Sequence, residues 1–77
     1  MKLKIDSKEC HVQFGKFIHN ARTSKGLYQI EIAEQVGISQ VYMSHIERGA
    51  RDIDLALALK ICDALNLDIS DFINNYL

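Results

Sequence analysis

One side of the segment 40–48 carries a row of side chains that can recognise base pairs. Amides match the hydrogen-bonding edge of adenine, arginine matches guanine, and an apolar side chain can contact the methyl group of thymine. The other side of the segment is apolar, with Met43 and Ile46, so the row would face outward from a helix. A plain solvated face, which more often mixes Glu and Lys, is the alternative interpretation. The outward row consists of Gln40, Val41, Ser44, His45 and Arg48.

Such a row needs a rigid support, and the residues before it predict a helix-turn-helix over 29–48. Two short helices, 29–36 and 40–48, are separated by a turn of the length that this motif requires. Ala33 is small where the helices would cross, and Gly37 can adopt the left-handed conformation that the turn needs. The apolar residues that would fix the angle between the helices are Ile32, Val36, Ile38, Met43 and Ile46.

Three further helices are predicted outside this motif, so the chain is expected to be all-α. Aspartates stand where these helices would begin, because a carboxylate can accept from the free N–H groups of the first turn. No stretch alternates apolar and polar residues for long enough to predict a sheet. The predicted helices run from Asp6 to Gly26, over 55–65 after Asp52 or Asp54, and over 69–75 after Asp68.

The chain resembles the Cro and phage-repressor (XRE) family of helix-turn-helix regulators over residues 14–72. The resemblance implies a compact five-helix, lambda-repressor-like DNA-binding domain. We therefore expect one domain, 1–77, with a flexible N-terminus over 1–6. A narrower likeness over 42–53 is to the controller proteins of restriction–modification systems, which are small dimers that bind operator DNA. The residues that carry the family resemblance are Arg22, Gly26-Leu27, Gln29, Ile32-Ala33, Gly37, Ser39-Gln40, Ile46-Glu47-Arg48-Gly49, Leu65, Ile69 and Phe72.

The resemblance implies roles for individual residues. Base contacts fall to Gln40, Val41, Ser44 and His45. Contacts to the DNA backbone fall to Lys25, Gln29, Ser39, Arg48 and Arg51. Arg22 and Glu47 match an ion pair between the first and third helices, which explains an acidic residue so close to DNA. His45 gains charge in the range where histidine titrates, so DNA affinity is expected to depend mildly on pH, and an affinity unchanged between about pH 6 and 8 would contradict this.

Two residues depart from the family pattern near the second helix. Tyr28 stands where members usually have Ser or Thr, so the N-cap of this helix is expected to be weak. Ile30 replaces a residue that is usually acidic or polar. Neither change removes the motif, but both bear on the phosphate contacts around the second helix.

The charge of the chain is divided between its two ends. The net charge is −1, but residues 1–51 carry +3 and residues 52–77 carry −4. This polarity suits a protein that presents one face to phosphate, although helix caps alone could explain the late aspartates. The balanced total predicts modest non-specific affinity for DNA.

Several other function classes find no support in the residues. The three histidines, His11, His19 and His45, have no ligand spacing with one another or with the cysteines, so neither a metal nor another cofactor is expected. No phosphate loop and no nucleophile with a spaced base is visible, so the chain is not expected to be an enzyme. Cys10 and Cys62 are expected to be free thiols, with a reactive Cys10 left open.

The start of the chain has no apolar region typical of a signal peptide, and no apolar run would span a membrane. We therefore expect a cytoplasmic protein of a bacterium or phage, acting at the nucleoid.

The last two helices carry more apolar residues than a small core can absorb, which predicts a homodimer. A two-fold dimer would bind a palindromic operator in double-stranded DNA. Whether it would block or contact RNA polymerase stays open, as does an antitoxin that binds a toxin through the C-terminal helices. The residues expected at the dimer interface are Leu57, Ile69, Ile73, Tyr76 and Leu77.

Overall fold

A computed structural model describes residues 5–77, which form five helices and no strand. The all-α, five-helix prediction is confirmed, and each predicted boundary lies within two residues of the observed one. The expected flexible N-terminus falls mostly outside the described residues; Ile5 and Asp6 precede the first helix. The helices are α1 (Ser7–Ser24), α2 (Gln29–Val36), α3 (Gln40–Glu47), α4 (Leu55–Ala64) and α5 (Ile69–Tyr76).

Side-chain caps begin four of the five helices. Asp6 and Ser39 accept from the backbone N–H three residues ahead, each at 3.0 Å. Of the two aspartates that could cap α4, Asp54 does so, accepting from the N–H of Leu57 at 2.8 Å. Asp68 accepts from the N–H of Ser70 at 2.9 Å. These polar side chains accept hydrogen bonds from free N–H groups of the first turn, and they mark the residue at which each helix begins.

The start of α2 is different, as the departure at Tyr28 predicts. The Tyr28 side chain caps no N–H and is 72% exposed. The carboxylate of Glu31 instead accepts from the backbone N–H of Tyr28 at 2.9 Å, which is one half of a capping box. The N-terminus of α2 therefore keeps N–H groups without a side-chain partner.

Close packing of α1 on α3 depends on a glycine. A Cβ added to Gly15 would lie 2.5 Å from the carbonyl oxygens of both Ile46 and Glu47, so only glycine permits this approach. Gly37 serves the other junction of the motif: its φ of 79° turns the chain between α2 and α3. These two glycines fix how α3 sits against its neighbours.

The core lies between all five helices, each of which contributes buried apolar side chains. Its aromatic part joins α1 to α5: Phe72 packs edge-on against Phe14, with ring centroids 5.3 Å apart, and Tyr76 packs likewise on Phe17. Cys62 is buried in this core and burial raises the pKa of its thiol, whereas Cys10 is half-buried; both are free thiols. The fully buried large side chains are Ile18, Ile32, Met43, Ile46, Ile61 and Leu65.

None of the helices described is both long and apolar enough to cross a membrane.

Candidate nucleic-acid interface

The outward row on α3 lies on the surface. Met43 and Ile46 point into the core, so the intervening residues are left facing outward. Val41 is 65% exposed, so its apolar side chain is available to a partner of this surface. Gln40 and Arg48 are exposed, and Ser44 and His45 are half-buried. The row and Gln29 of α2 line one shallow groove of about 340 Å³.

The remaining residues expected to contact the DNA backbone, Lys25, Ser39 and Arg51, are exposed but do not line this groove. Ser39 is exposed and its hydroxyl oxygen accepts from the N–H of Tyr42, so it caps α3. Lys25 is exposed at the end of α1. Arg51 lies over the ring of Tyr42, with its guanidinium carbon 5.4 Å from the ring centroid. A cation on an aromatic face loses side-chain freedom, so Tyr42 positions Arg51.

Arg22 and Glu47 meet beneath the interface in a two-point ion pair. Arg22 Nε donates to Glu47 Oε2 at 2.7 Å, and a terminal guanidinium nitrogen donates to Oε1 at 2.8 Å. The other terminal nitrogen donates to the carbonyl oxygen of Leu27 at 2.7 Å. Both residues are buried, so the pair links α1, α3 and the turn before α2.

The charge of Glu47 is stabilised despite its burial. Burial alone would raise the pKa of this carboxyl, but hydrogen bonds from Arg22, His19 and Gln29 outweigh it and hold the pKa below its ordinary value. The hydrogen bond to Glu47 likewise raises the pKa of Arg22 against the opposing effect of burial. Both groups are therefore ionised at neutral pH, and the acid is screened from the DNA-facing surface.

Two further side chains donate to Glu47 that sequence reasoning did not place there. His19 Nδ1 lies 2.9 Å from Glu47 Oε1, and Gln29 Nε2 donates to the same oxygen at 3.1 Å. Gln29, expected to contact phosphate, thus donates one side-chain amide hydrogen to Glu47. Its second amide hydrogen can donate to a ligand. A signal for His19 was present: it precedes Arg22 by three residues and so shares its face of α1.

The apolar residues expected at a dimer interface fall into two groups. Ile73 and Leu77 are about two-fifths exposed, whereas Leu57 and Ile69 are half-buried against the core. Tyr76 contacts its own chain, since its ring packs on Phe17 and its hydroxyl accepts from Asn20 at 3.1 Å.

An apolar groove of about 320 Å³ lies between α1, α4 and α5 and includes Ile69 and Ile73. Leu55, which sequence reasoning did not select, lines the same groove and is 71% exposed.

The part of the chain that forms this interface is similar to a known protein family. The family profile described as helix-turn-helix matches residues 18–72, which is most of the chain. The chain belongs to this helix-turn-helix family. The match covers α2, α3 and the ion pair beneath them, and it confirms the resemblance to XRE-type regulators. No curated protein sequence matches this helix-turn-helix chain.

Several solved structures of regulators are similar to this helix-turn-helix chain. The restriction–modification controller protein C.AhdI from Aeromonas hydrophila is 34% identical, with a TM-score of 0.74, over 79% of this chain and 92% of that one. The clp gene regulator ClgR from Corynebacterium glutamicum is 28% identical, with a TM-score of 0.81, over 84% of this chain and 69% of that one. The controller protein C.Esp1396I, at 23% identity and a TM-score of 0.76, shows the shared fold alone; the aligned parts are 84% of this chain and 86% of that one.

Proposed function

We propose that this chain is a transcriptional regulator that binds a palindromic operator in double-stranded DNA as a homodimer. The observation that carries the proposal is the outward row on α3, which lines one groove together with Gln29 at the N-terminus of α2. A helix of this kind fits the major groove, and helix N-termini and cations bind the flanking phosphates. The chain acts by equilibrium binding and not by catalysis.

Roles within the interface follow from exposure and chemistry. The contacts to base edges would come from the outward side of α3, which would face the DNA major groove. The residues on this side are Gln40, Val41, Ser44 and His45. The backbone contacts would come from five residues around this side: Lys25, Gln29, Ser39, Arg48 and Arg51. Gln29 can still reach a phosphate through its backbone N–H and its second amide hydrogen.

Selection from a pool of random duplex DNA tests the proposal directly. The wild-type chain is expected to enrich one palindromic sequence. Gln40→Ala is expected to weaken binding to that sequence by about tenfold or more, the usual cost of a lost bidentate base contact. Gln35→Ala is the matched control, because Gln35 is an exposed glutamine of α2 outside the groove. A pool without enrichment, or equal losses in the two variants, would contradict base readout.

The homodimer is proposed to form through the apolar groove and the exposed side chains beside it. The exposed apolar side chains here are Leu55, Ile73 and Leu77. Burial against a second copy of the chain would remove their apolar surface from water. Half-buried Leu57, Ile69 and Tyr76 would support this surface from below. The acidic charge of residues 52–77 would then lie away from the DNA.

A paired substitution tests the dimer. Ile73→Asp is expected to give a monomer in sedimentation at tens of micromolar, because a carboxylate would be buried without a partner. Ile30→Asp is the control: Ile30 is also exposed, at 48%, but lies on α2. A wild-type chain that sediments as a monomer at this concentration would exclude the proposed dimer.

The likeness to C.AhdI also supports the narrower proposal of a restriction–modification controller. C.AhdI is a protein of this class. It is 34% identical to this chain and aligns over 92% of its own length and 79% of this chain. We propose that the protein, of bacterial or phage origin, acts at the nucleoid in the bacterial cytoplasm, where an operator is accessible. An operator found upstream of restriction–modification genes would support this assignment, and an operator elsewhere would contradict it.

A further inference from the structure

A second concave surface continues the interface on the side of α1. It has a volume of about 350 Å³ and shares Gln29, Ser44 and Arg48 with the groove on α3. Its other wall is formed by α1, with Lys16 and His19, and its floor by Glu47. With α3 in the DNA major groove, this surface would face the DNA backbone at the edge of that groove.

Glu47 fixes the orientation of the His19 ring. The Nδ1 atom lies 2.9 Å from the carboxylate oxygen, a contact that requires a hydrogen on Nδ1 because the carboxylate can only accept. The 3.4 Å approach of an Arg22 nitrogen to the same atom is then a contact between two donors. Since Nδ1 faces the buried carboxylate and the side chain is 52% exposed, the exposed part of the ring is its Nε2 edge.

The groups around the ring favour an anion in front of it. Lys16 and Arg22 on α1 and Arg48 after α3 are cations, and Glu47 on α3 is the one carboxylate in the wall. The charges of these four groups sum to a positive value, which attracts an anion. The first turn of α2 adds backbone N–H groups without a side-chain cap. An incoming phosphate would change the balance, because its charge favours the imidazolium.

We propose that His19 is a DNA-phosphate ligand that binds through Nε2–H in its protonated form, with Glu47 as the positioning residue. The proposal rests on the proposed function, since it needs a bound duplex. The proton comes from solvent, so DNA binding takes up one proton per protomer at this site. Affinity for DNA would consequently increase as the pH falls through the range in which histidine gains charge.

The test measures binding at about pH 6 and pH 8, on either side of neutral, at constant ionic strength. The probe is the duplex that the wild-type chain enriches from a random pool. The wild-type chain is expected to bind about tenfold more tightly at the lower pH, the ratio that one hydrogen bond to a charged group provides. His19→Gln cannot gain charge, so it is expected to bind weakly at both pH values. His19→Arg carries a permanent charge and should bind tightly at both.

The histidine of the α3 groove serves as a control, and His45→Gln removes it. A response that disappears in His45→Gln and persists in His19→Gln would overturn the proposal. Thermal unfolding of His19→Gln checks the fold, since Glu47 keeps its bonds from Arg22 and Gln29 in that variant.

The two proposals fail in different ways. A pool without any enriched duplex contradicts the proposed function. An enriched duplex that the wild-type chain binds equally at both pH values contradicts only the role of His19. A ring nitrogen NMR signal of His19 that moves to the imidazolium position when the duplex is added would support proton uptake at the site itself.

Discussion

Glu47 is an acidic side chain placed directly beneath a surface that is expected to meet phosphate. Unpaired, it would repel DNA and would also be costly to bury. Four donor atoms from Arg22, His19 and Gln29 surround its carboxylate within 3.1 Å, so its charge is used to orient the three side chains. At this scale the sequence motif predicts the ion pair but not the additional donors, because it does not specify the side-chain orientations of His19 and Gln29.

Removing this acid is expected to destabilise the fold in a pH-dependent way. Glu47→Gln leaves Arg22 buried without its counter-charge, which costs about 3 kcal/mol or more at neutral pH. Because the folded-state pKa lies below the ordinary value of 4.5, the stabilisation in the wild type is complete above that pH and is lost as the pH falls through the folded value. Urea unfolding at neutral and acidic pH measures both effects. A free energy of unfolding that falls equally with acid in both proteins would contradict this assignment.

The helices themselves were largely predictable because their caps are local. A capping aspartate or serine acts within three residues of its own position, so the sequence alone identifies Asp6, Ser39 and Asp68 as helix starts. The choice between Asp52 and Asp54 needed the structure, since both precede α4 closely. The weak start of α2 was also predictable, because tyrosine lacks a short acceptor.

A better cap at this position is expected to stabilise the protein. Tyr28→Ser would place a hydroxyl where the free N–H groups of α2 can donate, which adds about 1 kcal/mol to the free energy of unfolding. Little packing is lost, because the tyrosine side chain is largely exposed. Tyr28→Ala removes the same ring without supplying an acceptor and is the control. Thermal melts in which the serine variant is no more stable than the alanine variant would contradict the expectation.

The packing between α1 and α3 could not be predicted from local signals. Gly15 reads as an unfavourable residue inside a helix, and only the structure shows the carbonyl groups of Ile46 and Glu47 beside it. Contacts between residues about 30 positions apart depend on the helix faces that meet, and one sequence does not specify those faces. The same limit explains why the α1 side of the candidate interface, with Lys16 and His19, was missed.

Adding a methyl group at this junction is expected to separate the helices. Gly15→Ala gains helix propensity but forces α1 away from the end of α3, at a net cost of roughly 1–3 kcal/mol. The difference between Lys16→Gly and Lys16→Ala, at the neighbouring exposed position, gives the effect of helix propensity alone. Urea unfolding gives the comparison, and an alanine variant at position 15 as stable as the wild type would show that α1 can shift without loss.

At the scale of the whole molecule, charge is segregated along the chain, and the total conceals it. Residues 1–51 hold eight of the nine Lys and Arg residues, and the acidic remainder forms α4, α5 and the loops beside them. The sequence predicts this division without the structure, because it follows from residue counts. The counts do not identify the cations beside α3, which in the structure include Lys16 and Arg48.

The salt dependence of DNA binding should follow the local cations and not the net charge. Each neutralised phosphate contributes about −0.9 to the slope of log affinity against log salt. Arg48→Ala and Arg51→Ala are each expected to reduce the magnitude of the slope by about one per protomer, because both cations are proposed to contact phosphate. Asp63→Asn makes the chain less negative by the same unit but changes an exposed residue of α4. It should leave the slope unchanged; a slope that becomes steeper in Asp63→Asn by as much as it becomes shallower in the arginine variants would mean that net charge, and not the α3 surface, sets affinity.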